Sequence, residues 1–274
     1  MDLLDFLSQG FIQRALVAGS FIAILCATLG VFLVLRRLSL IGDGLAHVTF
    51  GSVAVGLLLK VYPIYVAAPI VMISSLGIMK LTEKAKVYGD AAIAIVSSLG
   101  IAGGIILASV AGGFNVDLFS YLFGNILSIS RAEVISSIVL SVVLIGTIVT
   151  FYHDMLSVTL DEESARAAGV KVKAMNTVLV LLTALTVVLA MRVVGIMLIS
   201  ALLVLPAVTA LQVGKGFKAT IVIAATIGVV SVILGIFVSY LLDLPTGATV
   251  VILNFIIFLG VMVLKSTIFT RSYK

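Results

Sequence analysis

Nine long apolar runs constrain this chain more than any other feature of its sequence. Eight of them contain no Asp, Glu, Lys or Arg: Ala15–Leu35, Val61–Met79, Ala91–Val116, Val134–Tyr152, Ala174–Met191, Val193–Gly214, Ala219–Leu242 and Leu244–Leu264. The ninth, Leu38–Leu59, is as apolar but carries Asp43 and His47. Each run approaches or exceeds the roughly 20 residues a helix needs to cross about 30 Å of hydrocarbon. With 62% hydrophobic and 11% charged residues in 274, too little polar surface remains to coat a soluble domain. Backbone groups in lipid must pair internally, and there is no extended alternation of the kind barrel strands show, so helices are expected throughout. The expectation is one all-α, polytopic membrane domain over 1–274, with about nine transmembrane helices and eight or ten as bounds.

Charge placement sets the orientation. With the amino terminus outside, all of the 17 Lys and Arg fall on the inner side except Arg14, Lys60, Arg131 and Arg192. That asymmetry satisfies the positive-inside rule and places the carboxyl terminus in the cytoplasm. It also accounts for the net charge of +5 without a nucleic-acid partner. Met1–Gln9 holds Asp2 and Asp5 but no basic residue, so a cleaved signal peptide is not expected. The one cysteine, Cys26, precludes a disulfide or thiolate cluster within one chain.

Two connections exceed a simple turn. The outer one, Gly112–Arg131, contains a non-spanning apolar stretch from Leu118 to Ile129 that is read as a partial or surface helix over the outer mouth. The inner one, 153–173, reads HDMLSVTLDEESARAAGVKVK; acidic Asp161, Glu162 and Glu163 precede Ser164–Ala168, and Gly169 supplies a stop. A short amphipathic cytoplasmic helix is expected there. Four spans before the fifth and four after it would enter the membrane in opposite senses, the order of an inverted repeat. LVLRRLSLIGDGLAH from Leu33 and LAMRVVGIMLISALLVLP from Leu189 share the same punctuation, basic residues followed by a small-residue-rich span.

Asp43 and His47 carry the sharpest chemistry. Four apart on a helix, they share a face, and a carboxylate with a neutral imidazole suits Zn²⁺, Mn²⁺ or Fe²⁺ better than an alkali ion or an organic solute. Counted from Arg37 at about 1.5 Å per residue, Asp43 lies about 9 Å and His47 about 15 Å into the membrane, near its midplane. The competing reading is that the two bond each other or nearby carbonyls as a packing device. Ionisable groups at such depth are costly, which favours function. Two ligands make a weak site; facing copies across a two-fold axis would supply four.

Other polar positions have plainer readings. Asn115, Asp117 and Asn125 fit a solvated outer segment, His153 and Asp154 an inner helix end, and Asp243 a turn with Pro245 and Gly247. Pro206 can kink a span, and Gly100 with Gly104 forms a GxxxG that permits close packing without specifying a dimer. No GxxxxGK[ST], HExxH or GxSxG occurs, and QVGKGFK from Gln212 lacks the upstream Gly and the hydroxyl after Lys215. Nucleotide-driven work must come from another chain.

LRRLSLIGDGLAHVTFGSVAVG from Leu35, VDLFSYLFGNIL from Val116, LDEESARAAGVKV from Leu160 and VLAMRVVGIMLISALLVLPAVTA from Val188 resemble, over nearly the whole chain, the zinc/manganese-type permeases of ATP-binding-cassette importers. The resemblance implies a non-enzymatic, homodimeric permease in a bacterial-type plasma membrane, bathed by lipid, energised by a cytoplasmic ATPase and fed by an external metal-binding protein. It implies no permanently bound cofactor, only a transported divalent metal. Asp43 and His47 match positions of that family's metal pathway. Asp161, Glu163, Ala165, Arg166 and Gly169 fall in the segment that resembles its ATPase-coupling helix. The GDGLAH block, the proline-free VTFGS that follows it and YLFGNIL look most like the zinc branch. Manganese or iron import by the same family is the alternative. A proton-coupled secondary transporter using the Asp43 and His47 pair as a relay, or a scaffold without transport, are the readings from other classes.

Overall fold

The computed structural model describes residues 9–110, 112, 121, 124, 129–191, 195–196 and 199–271, with the side chains of 266–271 excepted. Among them all regular structure is helical: α1 (Gly10–Leu35), α2 (Ile41–Leu58), α3 (Pro63–Lys84), α4 (Gly89–Val110), α5 (Arg131–Thr150), α6 (Tyr152–Leu160), α7 (Glu162–Ala167), α8 (Val172–Ala190), α9 (Ile199–Val213), α10 (Phe217–Leu242) and α11 (Thr246–Arg271). Eight are long and apolar enough to cross a membrane, and α9 is a shorter apolar helix. The chain is all-α and polytopic, as its apolar runs require.

The nine expected spans resolve into eight plus one short helix. The run from Val193 was expected to be helical throughout, but among the described residues α9 spans Ile199–Val213, 15 residues that reach about 22 Å. Gly195, at φ +88°, takes a left-handed conformation that an α-helix cannot continue through. Pro206 sits within α9 and is buried there. The outer stretch Leu118–Ile129 lies outside the described residues except for Tyr121, Gly124 and Ile129, as do Asn115, Asp117 and Asn125.

Helix ends follow local rules. Arg37, Lys60, Lys86 and Asp243 have φ between +51° and +57° just beyond α1, α2, α3 and α10, so the residues that stop these helices are polar. Pro63 opens α3, where a missing N–H costs nothing. Ser130 caps α5 in a reciprocal box: the Glu133 N–H donates to Ser130 Oγ at 3.2 Å and the Ser130 N–H to Glu133 Oε2 at 2.8 Å. Tyr62 donates to Glu133 Oε1 at 2.5 Å, joining the start of α3 to the start of α5.

Packing pairs show the repeat. Exchanging α1–α4 for α8–α11 turns the contacts of α2 with α3 and α4 into those of α9 with α10 and α11, and α3 with α4 into α10 with α11. It turns α1 on α9 and α10 into α8 on α2 and α3, while α5 touches both α1 and α8. The first crossing thus corresponds to the sixth, the order expected of an inverted repeat. The two punctuation strings noted in the sequence fall at equivalent turns, α1 to α2 and α8 to α9. Centrally placed α1, α2 and α8 are buried over most of their length, whereas α3, α4, α5, α10 and α11 present broad apolar faces outward.

Candidate functional site

α2 is enclosed on nearly every side. Val48, Thr49, Phe50, Ser52, Val53 and Ala54 are buried, and from Ile41 to Gly56 only Asp43, His47, Gly51 and Val55 keep partial exposure. These four are spaced by four, so they form one stripe along the helix. Close packing against α4 produces this enclosure. A Cβ on Gly100 would lie 2.7–2.9 Å from Val48 Cα and N and His47 C, and one on Gly104 would lie 2.5 Å from the Phe50 ring. The Gly100 and Gly104 motif therefore serves contact between helices of one chain. Above His47 the stripe continues into a groove of about 430 Å³ walled by Gly51, Val55, Leu99, Gly100, Gly103 and Leu107.

Asp43 Oδ2 and His47 Nε2 lie 3.6 Å apart, with the carboxylate half exposed and the imidazole 21% exposed. At that separation they do not share a hydrogen bond. The separation suits two ligands of one ion: with each bond about 2.1 Å, the angle at the metal is about 115–120°, near the tetrahedral value. His47 Nδ1 is buried with no hydrogen-bond partner among the described residues. Asp43 falls in the first turn of α2, where the helix dipole favours a carboxylate in the absence of any cation.

The depth expected for this pair needs correction. Arg36 to Leu40 form a turn between helices, with the Leu38 N–H donating to Leu33 O at 2.8 Å, so the rise counts from Ile41. Asp43 is then about 3 Å and His47 about 9 Å into a helix about 27 Å long. Asp43 thus stands near the start of α2, and His47 nearer its middle. Among the described residues no group of three or more His, Cys, Asp or Glu can hold an ion, so Asp43 and His47 are candidate ligands as a pair.

The segment 153–173, expected to hold one short helix, contains α7 and most of α6. Asp161 caps α7: the Glu163 and Ser164 N–H groups donate to Oδ1 at 2.9 and 3.2 Å, and Ser164 Oγ donates to Oδ2 at 2.6 Å. These bonds hold the Asp161 carboxyl below its ordinary pKa, the Ser164 hydroxyl having the largest effect. Gly169, at φ +86°, ends the helix, and Val170 N–H closes back on Ala165 O at 3.0 Å. Of the residues matched to the coupling helix, Asp161, Glu163, Arg166 and Gly169 are exposed, whereas Ala165 is buried. Ala165 therefore anchors α7 to the bundle and is no contact for a docking protein.

Sequence reading overlooked three residues here. Arg36 Nη2 donates to Glu162 Oε1 at 2.5 Å and to Asn176 Oδ1 at 2.7 Å, and Asn176 Nδ2 donates to Glu162 Oε1 at 3.3 Å. Burial lowers the guanidinium pKa of Arg36, and its pairing with Glu162 opposes that shift. The partners lie 126 and 140 positions from Arg36 in sequence, beyond any local pattern. His153 and Asp154 lie in α6, where the His153 ring packs edge-on to Tyr152 with centroids 5.4 Å apart. Asp243 lies at its expected turn after α10.

Comparison with known proteins places this arrangement. The model of the ABC 3 transport family matches residues 8–265. The chain is 34% identical over 252 residues to the manganese transport system membrane protein MntC of Listeria monocytogenes, covering 92% of this chain and 90% of that one. It is 30% identical to the high-affinity zinc uptake system membrane protein ZnuB of Haemophilus influenzae, covering 89% and 94%. Among solved structures it is similar to PsaBC from Streptococcus pneumoniae in complex with Fab, with a TM-score of 0.82, 30% identity and coverage of 94% and 93%. With eight spanning helices, one short apolar helix and a family match over nearly its whole length, the chain belongs to the ABC 3 transport family: it is a multi-pass plasma-membrane permease subunit, with ATP hydrolysis residing in a separate subunit.

Proposed function

We propose that this permease imports a divalent transition metal, with zinc as its cargo, through a pathway whose inner ligands are Asp43 and His47. The observation that carries this reading is the accessible stripe of α2, which holds both residues 3.6 Å apart on an otherwise buried helix. An apolar face would serve packing better; a carboxylate and an imidazole kept partly exposed on an otherwise buried helix serve a passing cation. Two copies of the chain facing each other across a two-fold axis would bring four ligands together, while water can complete the sphere around a single pair. A loaded binding protein delivers the ion from outside, and closure of the ATPase subunits moves α7 so that the site opens inward.

The separation of the pair favours zinc. A near-tetrahedral angle fits it, whereas adjacent ligands of an octahedral ion subtend about 90° and sit about 3.0 Å apart. The proline-free continuation after His47 agrees with the zinc branch. Manganese is the second reading, favoured by the 34% identity to MntC.

The deciding experiment reconstitutes the permease with its ATPase and binding protein and follows vesicle uptake of Zn²⁺ against Mn²⁺. ATP-dependent uptake that prefers Zn²⁺ is expected. Preference for Mn²⁺ would replace the cargo, and uptake driven by a proton gradient without ATP would turn Asp43 and His47 into a proton relay.

A further inference from the structure

We infer that Arg36 is a positioning residue that carries movement of α7 to the start of α2; the inference rests on the transport reading above. α7 has six residues, too few to be stable by itself, so its position is set by what it is tied to. Ala165 packs inward and supplies an apolar hold. Glu162 supplies the charged one, through an ion pair to Arg36 at the end of α1.

The position of Arg36 gives that tie a direction. Arg36 is the C-cap of α1 and lies in the turn that leads into α2, with Arg37 beyond it at φ +57°. The Leu38 N–H fixes the turn by bonding to Leu33 O at 2.8 Å, and Ile41, buried, begins α2. Asp43 follows two residues later. Asn176, in the second turn of α8, completes the triangle by accepting from Arg36 and donating to Glu162. The triangle thus attaches α7 to the ends of α1 and α8, which are equivalent helices of the two repeats.

Stability alone does not require this arrangement. The Arg36 side chain is 11% exposed, and a pair so far removed from water gains little over well-packed apolar residues of the same size. What charge-assisted bonds add is geometry, since a guanidinium accepts partners only within its plane. When α7 shifts with a docked ATPase, Arg36 must follow or lose its charge partner. The turn at residues 36–40, and with it Asp43 and His47, takes a second position.

The test measures metal uptake and ATP hydrolysis together in vesicles holding permease, ATPase and binding protein, using Arg36→Met, Glu162→Gln and the reversed pair Arg36→Glu with Glu162→Arg. The amide of Asn176 can rotate to serve the reversed charges. Each single change is expected to leave hydrolysis near wild type and to lower ions moved per ATP by about tenfold or more, with the reversal restoring the ratio. An unchanged ratio, a proportional fall of both activities, or a reversal that stays uncoupled would overturn the inference. Should Arg36→Met fail to assemble, Glu162→Gln decides, because it changes charge without size at a half-exposed position. Amide exchange over 36–47 on adding ATP gives a readout free of transport: wild type is expected to change and Glu162→Gln to stay still. A wild-type complex that moves no metal would fail the transport reading, and this exchange difference would still stand or fall separately.

Discussion

At the scale of single residues, His47 holds Nε2 toward Asp43 and buries Nδ1, so its role is decided by what reaches the first nitrogen. His47→Ala is expected to reduce uptake more than about tenfold, since loss of a residue that merely supports a ligand already costs that much. Assembly with the ATPase is expected to persist. Wild-type uptake by a well-assembled His47→Ala variant would remove the ligand role. Asp161 behaves in another way. Its folded pKa lies below the ordinary carboxylate value, so its hold on α7 is complete at neutral pH and is lost only as pH falls through that lowered value. Asp161→Ala should therefore increase amide exchange at Glu163 and Ser164 at neutral pH, whereas Asp161→Asn, which keeps an acceptor oxygen, should retain most of the protection.

Between elements, glycine position matters more than glycine number. Gly100 faces the backbone of Val48 and His47 closely enough that a methyl group must displace α2, while a Cβ on Gly103 meets nothing within 4 Å. Gly100→Ala is expected to lower stability in detergent by about 1–3 kcal/mol and to reduce uptake by shifting His47. Gly103→Ala should leave both nearly unchanged; equal thermal shifts in the two variants would contradict the packing described here. The same scale shows what a sequence can reveal. Apolar length located the long helices, and a short helix stopped at Gly169 was legible because it depends on neighbours within a few residues, although Asp161 was read only as one of three acidic residues ahead of it and not as its cap. Ser130 with Glu133 carried an equally local signal that went unread. The late start of α9 was not legible, because apolar residues continue through Gly195 while the backbone does not. Nor was the turn at 36–40, whose polar signals looked like a membrane boundary. The triangle of Arg36, Glu162 and Asn176 depends wholly on tertiary structure, as does the inward face of Ala165.

For the whole molecule, the exchange of packing pairs between α1–α4 and α8–α11 makes the direction of one helix fix that of all the others. If α1 runs inward, α2 begins at the cytoplasmic side, Asp43 lies near the inner surface, and α7 meets a cytoplasmic ATPase. The charge asymmetry argues for that direction. The chain offers a clean way to measure it, because its one cysteine, Cys26, is fully buried in α1 and should stay silent toward a membrane-impermeant thiol reagent. Single cysteines placed at Lys60 or Glu133, next to the outer ends of α2 and α5, should label in right-side-out vesicles. Those at Lys86 or Lys173, beyond α3 and within the first turn of α8, should label only once the vesicles are inverted. The opposite pattern would put α7, Arg36 and Glu162 outside, away from any source of ATP, and would remove the coupling role together with the inward-facing position of Asp43. Labelling of all four from one side would mean that neither α3, between Lys60 and Lys86, nor α5, between Glu133 and Lys173, crosses the membrane. The expected pattern agrees with the proposed route of the ion, entry along the α2 groove from outside and release past Asp43 into the cytoplasm.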